Sequence, residues 1–266
     1  MYHFISHINM LEMRKLAKLS LLWIGSRIYG NNDSKVLFYH DIYKDHSYKS
    51  LDTDVLLGTP IDVFKQHINV ILNEGYEIVP KIIKPQNQVS IMFDDGFRGI
   101  WDNRHYFREK DIRPTVFLAV DLIGKEGFLT KEEILELQNG WNFTFQCHSW
   151  HHVDLTKCND KQLEVELKSS REELSKLLGK EVTSLCLPRG YFSDKLLNNA
   201  GTKEYLEVYS SIPGSYDNLI YGMRRRNLCQ FSSATEVKYI LRGGNEIIKN
   251  RYVHLHHQSE INDGLN

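Results

Sequence analysis

From residue 34 to residue 257 the chain alternates short runs of β-forming residues with longer helical patterns, and this alternation constrains the fold more than any other feature. Strand patterns occur at 36–40, 77–79, 89–93, 114–120, 143–147, 184–187, 206–210 and 252–257. Between them, Ile61, Phe64, Ile68 and Ile71 recur at helical spacing until Gly75 closes the run. A polar, aromatic helix is expected at 98–110. Thr130 with Glu133 reads as a capping box opening a helix through 138. Leu163, Leu167, Leu174 and Leu177 line one face of a helix over 160–178, and shorter helices are expected at 193–200 and 234–242. Such a succession builds βαβ units, hence a parallel sheet, open or closed into a barrel. The chain has 266 residues, 41% hydrophobic and 25% charged, enough to bury a core without staples. With no repeat and no low-complexity tract, it reads as one domain over 34–258, an N-terminal extension over 1–33 and a tail over 259–266.

The chemistry gathers at the expected strand ends, where parallel α/β folds carry their functional groups. Asp94-Asp95 follows one strand, His148 and His152 follow another, and His40-Asp41 follows a third. One carboxylate with two imidazoles is a zinc-type ligand set that leaves a position open for water. The His148-x-x-x-His152 spacing resembles a zincin but has Ser149 where the zincin glutamate stands. Two adjacent aspartates have diverging side chains, so one suits a metal and the other a proton acceptor, the division that amide hydrolysis needs. Lys and Arg number 33 against 34 Asp and Glu, so the basic surplus of a nucleic-acid binder is missing. Cys147, Cys158, Cys186 and Cys229 are scattered, as reduced thiols of a cytoplasmic protein would be.

These residues also carry a family resemblance. Residues 90–96 (SIMFDDG) resemble the first motif of the polysaccharide deacetylases (carbohydrate esterase family 4, the NodB-homology domain). His148-Ser-Trp-His-His152 is similar to their second motif, Leu187-Pro-Arg-Gly190 to their third and Leu255-His-His257 to their last, all in family order. The resemblance implies a distorted (β/α) barrel of about seven parallel strands. It also implies a metal-dependent hydrolase that removes an N-acetyl or O-acetyl group from an amino sugar. By it, Asp94 is the general base, Asp95, His148 and His152 hold the metal, and His257 is the general acid. Leu255 lines the acetyl pocket, the backbone N–H of Arg189 stabilises the oxyanion, and Arg113 is the candidate for holding the base. Zinc is the first expectation, and cobalt, nickel or iron suit the same ligands.

The chain departs from the pattern in two places. Cys186 stands where the third motif usually has arginine, and the acidic fourth motif that orients the acid is not visible. On a strand, His256 and His257 face opposite ways, so a slip of one residue makes His256 the acid. Arg224-Arg225-Arg226 reads as a solvated or ion-paired patch, with recognition of a phosphate-bearing substrate as the alternative. Residues 10–25 join basic side chains to an apolar run too short to span a bilayer and lacking a good cleavage site. They read either as a helix packed on the domain or as an amphipathic helix on a membrane surface. No secretory signal or carbohydrate-binding module is visible. The expected substrate is therefore a cytoplasmic glycan precursor in surface-polysaccharide assembly, handled at or near the inner membrane face. A metal-dependent amidase acting on a formyl or non-sugar substrate, and a non-catalytic glycan-binding relative, remain as alternatives.

Overall fold

The computed structural model describes residues 10–45 and 57–258, so the expected tail and the start of the N-terminal extension lie outside the described residues. Ten strands occur among them. They are β1 (Lys35–Tyr39), β2 (Asp41–Tyr43), β3 (Gly58–Pro60), β4 (Glu77–Ile78), β5 (Gln88–Phe93), β6 (Thr115–Leu118), β7 (Thr144–Cys147), β8 (Ser184–Cys186), β9 (Glu207–Tyr209) and β10 (Asn227–Leu228).

Seven of them run in the order β10-β1-β5-β6-β7-β8-β9, every pairing parallel, with β4 flanking β5. The sheet curls into a half-barrel whose end strands approach each other where Tyr209 bridges Arg224, just ahead of β10. Side chains alternate across it. Phe38, Met92, Phe117, Cys186 and Tyr209 cluster in the inner layer. Leu37, Tyr39, Ile91, Phe93, Val116 and Leu185 belong to the larger core under the helices. Strands buried on both faces read as near-continuous apolar runs, which is why β1 and β5 stand out in the sequence.

Most expected helices form. The apolar face of Ile61–Asn73 is buried, and the capping box of Lys131–Trp141 closes in both directions between Thr130 and Glu133. The expected helix over 160–178 is interrupted by a π turn at Glu164–Ser169. The last element differs from expectation. Residues expected as a strand over 252–257 instead form a helix, Lys249–His256. The place beside β1 is already taken by β10, with Leu37 opposite Asn227, so no slot remains for another strand there. The helical period puts Tyr252 and His256 on one face, where their rings stack with centroids 5.7 Å apart. No described helix is long and apolar enough to cross a membrane.

Candidate active site

The site lies at the C-terminal ends of the strands. At the end of β5 the Asp94 N–H donates to the Tyr39 carbonyl of β1 (3.0 Å), continuing the ladder. The chain then turns through left-handed Asp95 (φ 69) and Gly96 (φ 80). A side chain at Gly96 would strain its left-handed backbone and place its Cβ 2.6 Å from Leu118 Cδ2, forcing that leucine to shift, so glycine is favoured there. This turn sends the two neighbouring carboxylates in different directions.

Asp95 points to the imidazoles of the β7 loop. Its Oδ1 lies 3.3 Å from His148 Nε2 and 3.2 Å from His152 Nε2. That oxygen is buried, yet it has no partner with hydrogen-bond geometry. His148 Nδ1–H donates to the Cys186 carbonyl at 2.8 Å, which leaves the Nε2 lone pair facing Asp95. One ligand atom each from Asp95, His148 and His152 falls within 4.8 Å of the others. An unsatisfied carboxylate oxygen beside a lone-pair nitrogen and a second imidazole is a donor set that fits a divalent metal. Burial opposes charge on Asp95, but His152 and His148, when protonated, outweigh it and hold its carboxyl below the ordinary value. Asp94, His148 and Cys186 form a second cluster, but Asp94 is engaged elsewhere and His148 turns its N–H away from the sulfur to a carbonyl.

The loop carrying the two histidines is tied down by Glu166, on the π turn. Its Oε2 accepts from the Trp150 and His151 N–H groups (both 3.0 Å) and its Oε1 pairs with His151 Nδ1 (2.6 Å). With the loop so held, Ser149 (φ 68) and His152 (φ 57) keep left-handed backbones that bulky residues adopt at a cost.

Asp94 points into the half-barrel and meets Arg226 in a two-pronged pair, Nη1 to Oδ1 at 2.7 Å and Nη2 to Oδ2 at 2.8 Å. The guanidinium lies over the Phe38 ring, 4.1 Å from its centroid, and its Nε–H donates to the Ser210 carbonyl. Burial raises the Asp94 carboxyl, but Arg226, helped by His148 and His40, outweighs it and holds Asp94 below the ordinary carboxylate value.

This corrects one expectation, for Arg113, and decides between the solvated and ion-paired readings of the arginine run. Arg113 is exposed, pairs with Asp111 at 3.0 Å and precedes β6. Since Thr115 pairs with Met92, Arg113 sits near the level of Ser90, about 13 Å down the strands from Asp94. The arginine run is not solvated: Arg225 and Arg226 are fully buried, and Arg224, Arg225 and Arg226 pair with Glu207, Glu246 and Asp94.

Asp94, Asp95, His148, His152 and Arg189 all border one cavity of about 350 Å³, with Phe97, Leu122, Phe128 and Leu187 on its apolar walls. Arg189 (φ 59) and Gly190 (φ 73) form the tight turn after β8. A Cβ at Gly190 would lie 2.7 Å from Ser211 and 2.9 Å from His256, so this turn packs where only glycine fits. His256 borders the cavity, with its Nδ1 bonded to the Tyr252 carbonyl at 2.8 Å. His257 does not border it: its ring stacks on Phe192 at 4.9 Å and packs against Tyr221. Leu255 is 53% exposed and lies outside the lining. Both displacements follow from the helix that replaces the expected strand.

The sequence places His40 at a strand end without assigning it a role, and it borders the same cavity. Tyr39 pairs with Phe93, so the next residues, His40 and Asp94, are neighbours across the strand ends, and His40 acts electrostatically on both aspartates. Its Nδ1 is 2.5 Å from Gln230 Oε1, in the loop after β10. The sequence signal was its place at a strand end, the same signal that marked Asp94 and His148.

Residues 81–208 match the family described as polysaccharide deacetylase. Those residues belong to that family. The deacetylase fold extends beyond the match. A polysaccharide deacetylase from Bacillus cereus superposes with a TM-score of 0.66 at 23% identity, covering 79% of this chain and 69% of its own. The Streptococcus pyogenes deacetylase PplD, in complex with acetate, gives 0.67 at 20% identity, covering 79% and 98%. IcaB from Ammonifex degensii gives 0.68 at 17% identity, covering 80% and 98%. At these identities the likeness speaks for the fold, the NodB-like barrel that the motifs imply. No curated protein sequence matches the chain.

Proposed function

We propose that the chain is a metal-dependent deacetylase that hydrolyses the acetamide of an amino sugar in a glycan or glycan precursor. The observation that carries this reading is the pairing of two sites on one turn. Asp95, His148 and His152 converge as metal donors, while Asp94 is held ionised by Arg226 beside them. Zinc is the first choice for these ligands, with cobalt, nickel or iron also suited. A divalent ion there supplies Lewis acidity and lowers the pKa of a bound water.

The chain's own residues supply the rest. Asp94 takes the proton of the attacking water, its orientation fixed by the two-pronged Arg226 contact. We assign the Arg189 N–H, on the left-handed turn after β8 that borders the cavity, as a donor for the oxyanion. The apolar cavity walls receive the acetyl methyl group. We assign the proton to the departing amine to His40, because it neighbours Asp94 and its Nδ1 is fixed by Gln230. His256 is the second candidate, favoured by its place on the opposite cavity wall and its bond to the Tyr252 carbonyl. A glycan precursor of surface-polysaccharide assembly, met in the cytoplasm, fits the substrate expectation from the sequence.

The test loads purified protein with zinc or cobalt and measures acetate release from N-acetylated sugar oligomers, nucleotide-linked sugars and lipid-linked sugars, with formylated analogues alongside. The reading expects metal-dependent acetate release, lost with bound metal in His148→Ala, and lost with metal retained in Asp94→Asn. Formate release alone points to the amidase alternative. Glycan binding with no turnover in the metal-loaded wild type leaves a non-catalytic relative.

A further inference from the structure

The helix Met10–Ile28 is built inside out. Its docked side is narrow: Leu22, Gly25 and Ser26 are buried, and Gly25 lies so close to Gly244 that a Cβ there would come within 2.3 Å of the Gly244 carbonyl oxygen. Lys18 fixes its middle by pairing with Glu236 at 3.0 Å. At 100° per residue the opposite half-circle carries Met13, Leu16, Ala17, Ser20, Leu21, Trp23, Ile24, Arg27 and Ile28. Met13, Leu16, Leu21, Trp23, Ile24 and Ile28 are each 39 to 64% exposed, a largely apolar face on which Arg27 lies over the Trp23 ring. A monomeric protein rarely leaves such a face to water.

Charge and position indicate what covers it. The helix carries Arg14, Lys15, Lys18 and Arg27 against the single acid Glu12, in a chain whose net charge is −1. Arg27 lies on the exposed face and Arg14 at its edge, and the net positive helix is drawn to an anionic surface. Trp23 and Tyr29, both exposed, are amphipathic rings of the kind that settle at a lipid headgroup boundary. The helix is too charged to span a bilayer, so it lies in the plane of one.

Its direction is informative. Lys18 also reaches Ser232, in the loop after β10 that carries Gln230 at the catalytic cavity, while the helix's far end leads to the start of β1. The turns ahead of Lys18 therefore stand about 12 Å beyond that contact, on the side of the cavity, and every side chain from Met13 to Lys18 is exposed.

We propose that the exposed face of this helix docks on an anionic phospholipid bilayer, with the cavity opening alongside that surface. This docking is independent of the reaction assigned above.

The test is co-sedimentation of the full chain with phosphatidylcholine vesicles, with and without phosphatidylglycerol. The wild type is expected to partition onto the anionic vesicles and to be released by salt. Arg14→Gln with Lys15→Gln weakens partition roughly 30-fold for two cations removed. Leu16→Gln with Ile24→Gln weakens it at least about tenfold, with an unchanged thermal midpoint because both sites are exposed. A second measurement needs no folding control: brominated lipid should quench wild-type tryptophan fluorescence, and Trp23→Phe should remove that quenching. Equal sedimentation of wild type and the Leu16/Ile24 variant, or no quenching by brominated lipid, overturns the proposal. So does a concentration-dependent dimer in lipid-free solution that Leu16→Gln with Ile24→Gln abolishes, since a second copy then covers the face.

Discussion

Replacing Arg226 by methionine isolates the buried pair at the centre of the site. Arg226 is 0% and Asp94 3% exposed, and the change deletes both contacts to the carboxylate and the bond to the Ser210 carbonyl. Stranding a buried charge costs about 3–5 kcal/mol, a large share of the ~5–15 kcal/mol that holds a typical domain together. Much of that cost belongs to the orphaned carboxylate, so it should shrink when Asp94 is first made neutral. In an Asp94→Asn background the guanidinium is itself the stranded charge, so Arg226→Met should be close to neutral, its relief offsetting the lost packing over the Phe38 ring and the Ser210 bond. Urea unfolding of the four proteins closes the cycle, with an expected coupling of at least about 2 kcal/mol. Arg226→Lys keeps the charge without the fork and should recover part of both stability and turnover. Metal content should be unchanged throughout, because Asp95, His148 and His152 are untouched. A coupling below about 0.5 kcal/mol would refute the argument, for it would make Arg226 a packing residue that merely touches Asp94.

Glu166→Ala should weaken metal affinity by about 10- to 100-fold in a chelator competition, while Glu166→Gln, which still offers one oxygen to the Trp150 and His151 N–H groups, keeps most of it. Asn at His40 should lower kcat by roughly 100-fold or more if it is the acid, with Asn at His256 shifting mainly KM; the reverse pattern moves the role to His256. Burial pushes His67 from 6.5 down to about 4, between the Tyr39 hydroxyl and the Ser232 carbonyl. Folding there favours the neutral ring. Its contribution is complete above pH 6.5 and is lost as pH falls towards 4, by about 3 kcal/mol at ~1.4 kcal/mol per unit. His67→Gln should flatten that part of the stability curve, and identical slopes for variant and wild type would disprove the linkage.

The metal ligands were legible because each lies within a few residues of a strand end, and local spacing delivers them together. Asp94 was legible for the same reason. Its partner was not, since Arg226 lies 132 positions away and reaches the carboxylate only through the curl of the sheet. His40 was visible at a strand end, but its value depends on β1 lying beside β5, which no local pattern states. The histidines near the C-terminus were misplaced for a different reason. Residues 252–257 satisfy both a strand's alternation and a helix's four-residue spacing, and the choice is made by β10 occupying the position beside β1. A two-residue strand such as β10 leaves too short a pattern to be seen in advance.

The long separation between Asp94 and Arg226 also sets an order of assembly. Strands β5 to β8 can pair with neighbours close in sequence, but β1 must wait for β5 on one side and for β10 on the other. Contacts of such range form late, because the loop they close is long. A chain emerging residue by residue therefore holds its metal donors together before Arg226 has arrived to fix the base. Until then Asp94 lacks the two-pronged partner that orients it as a base. Proton-accepting capacity is acquired last, as the sheet curls shut, so truncated or half-folded chains would bind metal without turning over substrate.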